Sequence, residues 1–198
     1  MRRIRYALAV AAASSLGLVA AASAQRPSIG TPAPEIKLTT LDGKPFTLSE
    51  AVRGKNAVVV IFIATICPYS NAYNDRMRDM AIAYGKQGVL FVGINSNKSE
   101  PAEEVGAHGK QHGFTFPLMK DPDNKVANLY DAKHTPEVFV VDGAGKLRYH
   151  GRIDENYEDA ARVTSPDLKN ALDAMIASKP IARTETKAFG CSIKRVES

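Results

Sequence analysis

The sequence predicts an α/β fold, with a central mixed sheet flanked by helices, an N-terminal hairpin and a C-terminal tail. Three observations carry that expectation. Ala57 to Ile63 (AVVVIFI) is seven continuous apolar residues rich in β-branched types and reads as a strand buried on both faces, and Val89 to Asn95 (VLFVGIN) reads as a second buried strand. Between them, Tyr69, Tyr73, Met77, Met80 and Tyr84 recur at helical spacing and make one apolar stripe. Two further strands, Glu137 to Val141 and Lys146 to Arg152, meet at the turn Asp142-Gly143-Ala144-Gly145 and precede a closing helix. Strand, helix, strand, helix, hairpin and helix is an order in which the first two long strands lie parallel through a right-handed crossover.

Composition agrees with one globular domain. Of 198 residues, 44% are hydrophobic and 24% charged, which excludes a disordered, collagen-like or multi-span membrane chain. The start is set apart. Arg2, Arg3 and Arg5 precede an apolar run from Ala7 to Ala21 that ends in Ala22, Ser23 and Ala24, the plan of a secretory signal cleaved before Gln25. The run is shorter than the roughly twenty apolar residues of a bilayer span, so no stable membrane span is expected after cleavage. Removing residues 1–24 leaves 23 basic against 21 acidic residues, too even a balance for a nucleic-acid surface. An exported chain of this kind, placed in the bacterial periplasm, meets conditions that permit disulfides, and it has two cysteines, Cys67 and Cys191.

Each element has its own signals. Residues 25–34 are proline-rich and extended. Glu35 to Thr40 and Lys44 to Leu48 flank Asp42-Gly43, a type I′ turn signal and so a hairpin. Ser49 is expected to cap a helical turn ending at Gly54. Gly88 closes the long helix, and Pro101 opens the next, which reaches about His112. Phe114 to Met119 and Asn124 to Tyr130 read as a short strand and a short helix. Ser165 as N-cap, Pro166 in the first turn and Asp167 at the positive end announce the last helix, which runs to about Ser178 and is stopped by Pro180. The domain therefore spans residues 35–178, and a tail, 179–198, carries Cys191.

The chemistry concentrates at Cys67. It follows the first buried strand directly, and Pro68 suits the first turn of the helix that comes next, so Cys67 stands at or just before a helix N-terminus. Ligands in open α/β sheets bind at the carboxyl ends of strands. A free thiol with a pKa near 8.5 is only about 3% thiolate at pH 7, and the positive end of a helix lowers that pKa. Position alone therefore activates Cys67 as a nucleophile.

These residues, with GTPAPEIKLTTLDGKPFTLSE at the hairpin, FIATICPYS at the strand-to-helix turn, HTPEVFVVDGAGKLRYHG at the second hairpin and GCSIKR near the end, resemble the thioredoxin-like superfamily. Within it the chain is similar to the redoxin branch, of the alkyl-hydroperoxide-reductase and thiol-specific-antioxidant type, in an exported, peroxiredoxin-like subgroup. The resemblance covers nearly all of residues 28–196. It implies a thioredoxin-like fold and makes Cys67 the first cysteine of a CxxC pair in which Ser70 replaces the second. It also implies that Thr135 and a cis Pro136 face the active cysteine and align a substrate chain. A peroxiredoxin would carry PxxxTxxC. Counting back from Cys67, the matching positions hold Val60 and Ala64; counting back from Ser70, they hold Ile63 and Cys67.

The leading expectation is a thiol-disulfide redox protein in which Cys67 attacks and Cys191 resolves the mixed disulfide or sulfenic acid, with no cofactor. Its partners would be a protein or small-molecule disulfide, or a peroxide, and an unidentified reductase. One alternative is a thiol peroxidase. Another is a non-catalytic module that binds a partner, or copper through Cys67, His134 and Cys191, since soft thiolates with imidazole select copper. His108, His112, His134 and His150 have no metal-ligand spacing and read as scattered surface residues, so no metal site is expected from them. Asp154 to Asp159 reads as a solvated acidic loop. Asn95 and Asn97 end the second strand and read as turn residues that could border the cleft.

Overall fold

A run with no polar residue has no face to give to solvent, and the chain places it at the centre of the sheet. The computed structural model describes residues 26–196. In order, the elements are β1 (Lys37–Thr39), β2 (Pro45–Thr47), α1 (Leu48–Ala51), β3 (Ala57–Phe62), α2 (Pro68–Ala72), α3 (Asn74–Gly85), β4 (Val89–Asn95), α4 (Ala102–Gln111), β5 (Leu118–Lys120), α5 (Lys125–Leu129), β6 (His134–Thr135), β7 (Glu137–Asp142), β8 (Leu147–Gly151), α6 (Asp167–Ile176) and β9 (Cys191–Ser192). The five-stranded sheet runs β5-β4-β3-β7-β8, with β3 parallel to β4 and antiparallel to β7.

Both faces of β3 are covered. Val59 and Ile61 pack with Met77, Tyr84, Leu168 and Leu172 on one side of the sheet. Val58, Val60 and Phe62 pack with Ile36, Phe46, Val126 and Tyr130 on the other. Every residue of β3 is buried, which is why alternation is missing from its sequence. Each such Val, Ile or Phe contributes about 1.5–3 kcal/mol of burial, so the strand that ends at Cys67 is firmly held.

Several local expectations are corrected. The first hairpin closes through Thr40 and Lys44, and only Gly43 has positive φ (86°). A type I′ turn needs positive φ at both central residues, so this is a three-residue loop with glycine in the left-handed place. Ser49 does not cap α1; Thr47 stands there, and the Glu35 carboxylate accepts the Leu48 and Ser49 N–H groups at 2.8 and 3.2 Å. Ser165 lies one residue outside the last helix, whose N-cap is Pro166. The helical stripe is broken at Tyr73, between α2 and α3, where the Tyr73 hydroxyl donates to Asp154 Oδ1 at 2.8 Å. Tyr69 is thereby turned away from the core that takes Tyr73, Met77 and Tyr84.

The acidic loop is not simply solvated. Asp154 is buried and pairs with Arg76 at 2.7 Å, because that guanidinium also reaches the Asn156 and Tyr157 carbonyls and fixes the loop against α3. His150 is likewise buried, 2.7 Å from Glu137, and the other three histidines are half-buried.

The segment after Pro180 is docked along its length. His150 N–H donates to the Thr184 carbonyl and Thr186 N–H to the His150 carbonyl, both at 3.0 Å. Beyond Cys191, Ile193 N–H reaches the Lys133 carbonyl at 3.0 Å and Lys194 N–H reaches Asn97 Oδ1 at 2.7 Å. Residues 187–192 form a strap between these anchors. Glycine makes the close approach possible: a Cβ on Gly190 (φ 144°) would lie 2.1 Å from the Thr135 carbonyl oxygen. No helix among the described residues is long and apolar enough to cross a membrane. The expected signal, residues 1–24, lies outside the described residues.

Candidate functional site

Cys67 is the N-cap of α2, with Pro68 at the first helical position. Its backbone is extended there, and the Ser70 N–H donates to its sulfur at 3.4 Å, the capping bond an N-cap side chain makes. Ser70, buried one turn on, accepts the Ala64 N–H on its hydroxyl at 3.2 Å and so ties the end of the strand to the helix.

Across from the sulfur lies the Thr135-Pro136 peptide, which is cis. The Cys67 thiol donates to the Thr135 carbonyl at 3.2 Å. Thr135 is also the register partner of Cys191, because β6 and β9 pair antiparallel. The short ladder therefore brings together all four residues that the sequence singled out. Both cysteines are free thiols; Cys67 is 2% exposed and Cys191 partly exposed.

Their titration is unequal. Burial pushes the Cys67 thiol up, but hydrogen bonds from the Cys191 thiol, from Thr135 and from the Ser70 and Cys191 N–H groups outweigh it and hold Cys67 below the ordinary thiol value. The Thr135 hydroxyl is buried and has no other hydrogen-bond partner among the described residues. Cys191 is pushed up to about 11 by burial and by the Cys67 sulfur beside it. The pair thus shares its protons asymmetrically: Cys67 is the sulfur that loses its proton first and Cys191 the one that keeps it. Such a pair can open a disulfide with one sulfur and close a new one with the other.

A buried carboxylate that sequence reasoning missed ties the two cysteine-bearing segments together. Glu100, 1% exposed, accepts from the Thr65 N–H at 2.6 Å and the Thr65 hydroxyl at 2.9 Å, two residues before Cys67. It also accepts from Asn95 Nδ2 at 2.6 Å and Asn97 Nδ2 at 2.7 Å, while Asn97 Oδ1 takes the Lys194 N–H three residues after Cys191. Burial raises the Glu100 pKa, and these hydrogen bonds outweigh that and leave it lowered. Lys120 donates to Asn95 Oδ1 at 2.6 Å and to the Asn97 carbonyl, completing the cluster. Asn95 and Asn97 do act in a turn, since Asn95 Oδ1 accepts the Asn97 N–H at 3.2 Å and the Asn97 carbonyl accepts the Glu100 N–H at 3.3 Å, but both are buried as well. The signal was available: three amide or acid side chains in six residues at the carboxyl end of a buried strand.

A groove of about 580 Å³ opens beside the cysteine pair, with Tyr69, His134, Tyr157 and Phe189 in its lining. A larger cleft, between α4 and the first hairpin, is lined by none of the site residues. Among the described residues no cluster of three or more His, Cys, Asp or Glu side chains could hold a metal ion. Cys67, His134 and Cys191 thus do not converge as the copper site that the sequence left open.

The chain matches a sequence model of the AhpC/TSA family over residues 29–150. It is similar to a crystal structure of a hypothetical protein from Sinorhizobium meliloti 1021, with 34% identity and a TM-score of 0.80 over 88% of this chain and 98% of that one. It is 31% identical over 121 residues to the thiol-disulfide oxidoreductase ResA of Geobacillus thermodenitrificans, covering 61% of this chain and 67% of that protein. It is 27% identical over 147 residues to a thiol:disulfide interchange protein DsbE homologue of Paracoccus denitrificans, covering 74% and 78%.

Proposed function

The chain belongs to the AhpC/TSA family and has a thioredoxin-like fold, and from that premise we propose that it is an exported thiol-disulfide redox protein in which Cys67 is the nucleophile and Cys191 the resolving cysteine. On this reading residues 1–24 are a signal removed before Gln25, residues 25–34 are an extended lead, residues 35–178 are the redoxin domain and residues 179–198 are a tail that completes the site. The periplasm is its compartment, and its partners are a disulfide substrate and a reductase.

The observation that carries the proposal is the register of β6 on β9, which sets Cys191 opposite Thr135 while the Cys67 thiol bonds the same Thr135 carbonyl. The Cys67 thiolate attacks one sulfur of the substrate disulfide. That S–S bond breaks, a thiolate leaves, and a mixed disulfide forms on Cys67. Cys191 gives its proton to the departing thiolate and attacks Cys67 Sγ, which expels the second substrate thiolate and leaves a Cys67–Cys191 disulfide. Two electrons pass from the dithiol to the substrate, and a reductase restores the dithiol. Because Cys67 is nearly covered, the strap 187–192 shifts outward to admit a disulfide. Oxidation of the reduced protein by a stoichiometric disulfide, followed by peptide mapping without reductant, tests the proposal: it requires a Cys67–Cys191 linked peptide.

The enclosure of Cys67 favours one second reading, a thiol peroxidase, because hydrogen peroxide is small enough to reach a sulfur that a disulfide cannot. The same two cysteines would then pass through a sulfenic acid on Cys67. Stopped-flow oxidation by hydrogen peroxide separates the two. A rate no faster than that of a free thiol at matched thiolate fraction rejects the peroxidase.

A further inference from the structure

The groove beside the cysteine pair is built from the immediate neighbours of the site residues. Tyr69 lies two residues after Cys67, His134 one before Thr135, and Gly190 one before Cys191. The groove borders the site along these three residues, and neither sulfur lines it. One wall is aromatic: the rings of Tyr69 and Tyr157 are 4.4 Å apart, and Phe189 lies 6.2 Å from each.

The rest of the lining holds donors that the fold does not use. Arg152 gives its Nε to Asp167 at 2.7 Å, and its other guanidinium nitrogens have no partner among the described residues. Asp167 is shared with Arg183, so it does not cancel the charge on Arg152. Lys187 is exposed and makes no ion pair or hydrogen bond among the described residues. Nδ1 of His134 is buried and has no partner among the described residues, and it donates or accepts according to the ring tautomer. The groove has one carboxylate, Glu155, and its oxygens are occupied by the Thr164 hydroxyl at 2.8 Å and the Thr164 and Ser165 N–H groups, which hold it near pKa 2. Glu155 stays ionised and adds one negative charge, so with Arg152 and Lys187 the lining carries a net charge of +1 and its unused charged groups are donors.

We infer that this groove binds the non-sulfur part of a small anionic disulfide, a low-molecular-weight thiol bearing carboxylates, and presents its sulfur to the Cys67–Cys191 pair. The inference rests on the thiol-disulfide reading above and names its substrate class. Carboxylates meet the free arms of Arg152 and Lys187, a charge-assisted contact that the guanidinium fork makes well. The aliphatic stem lies on the three rings, and about 580 Å³ is within the range of pockets that hold small ligands. The exchange balances as before: one disulfide and the protein dithiol give two small thiols and the Cys67–Cys191 disulfide.

The test is the rate at which the reduced protein is oxidised by three probes: oxidised glutathione, which is anionic, bis(2-hydroxyethyl) disulfide, which is neutral, and cystamine, which is cationic. Each rate is divided by that of the same disulfide with a free thiol, so that intrinsic reactivity cancels. At low ionic strength the normalised rate should be about tenfold or more higher for the anionic probe than for the cationic one, and the ratio should fall toward one in high salt. Lys187→Glu should lower the ratio of anionic to neutral rates several-fold. A ratio within about twofold of one at low salt overturns the groove assignment while leaving the redox reading in place. No reaction with any of the three disulfides overturns both.

Discussion

At the residue scale, the site depends on how two thiols divide their protons. Cys67 is held below the ordinary thiol value by donors converging on its sulfur, so alkylation of the reduced protein should show a thiolate at lower pH than a model thiol does. Iodoacetamide rates against pH measure this, and Cys191→Ala should move the inflection upward because it removes the thiol that donates to the Cys67 sulfur. The two groups act oppositely on stability. A depressed pKa at Cys67 adds stability that is present above the unfolded thiol value and is lost as pH falls through the folded one. The raised value at Cys191, about 11, adds stability that is present below the unfolded thiol value and is lost as pH rises through the folded one. The reduced protein should therefore lose stability between about pH 9 and 11, and Cys191→Ser should flatten that loss in thermal unfolding curves.

Glu100 belongs to the same scale. Its carboxylate takes four hydrogen bonds in a buried place, and bonds to a charged group contribute roughly 1.5–3 kcal/mol each. Glu100→Gln keeps the shape but turns a donor toward groups that also donate. We expect a loss of about 2–4 kcal/mol in denaturant unfolding, and a Cys67–Cys191 disulfide that forms less readily in a glutathione redox buffer, since the carboxylate sets the two segments relative to each other.

At the element scale, the decisive unit is the two-residue ladder of β6 and β9. Its closeness depends on Gly190, whose added Cβ would meet the Thr135 carbonyl at 2.1 Å. Gly190→Ala should lift the strap, raise the alkylation rate of Cys67 and slow closure of the intramolecular disulfide, all readable by mass spectrometry of quenched samples. The elements also show what the sequence made legible. β3 and β4 were plain because their apolar runs can only be buried, and Cys67 was plain because proline and a strand end fix the helix start. Thr135 and Pro136 were placed by resemblance to a family rather than by any pattern in the chain. The docking of the tail was not legible: residues 179–190 carry no alternation, and the tail is anchored on either side of the strap by scattered hydrogen bonds to β8, the Lys133 carbonyl and the Asn97 side chain, which depend on tertiary approach. The break at Tyr73 was hidden for a similar reason, since its partner Asp154 lies 81 positions away.

For the whole molecule, the sheet provides the rigidity and the ends of its central strands provide the chemistry. β3 carries Cys67 out at its carboxyl end, β7 follows the cis peptide, and the tail crosses β8 before it reaches β6, so one site draws on segments from both halves of the chain. Without a second cysteine at Ser70, the dithiol is assembled across the fold instead of within one helical turn, and closing it would join positions more than a hundred residues apart. On a chain-entropy model such a cross-link stabilises by about 4–5 kcal/mol, so the oxidised protein should unfold at distinctly higher denaturant than the reduced one.

The most direct measurement is a redox titration of the wild-type protein with peptide mapping at each poise. The account predicts an intramolecular Cys67–Cys191 disulfide that forms and opens reversibly, at a potential more oxidising than about −300 mV. Two free thiols after full oxidation, or a disulfide that joins separate chains instead, would contradict it.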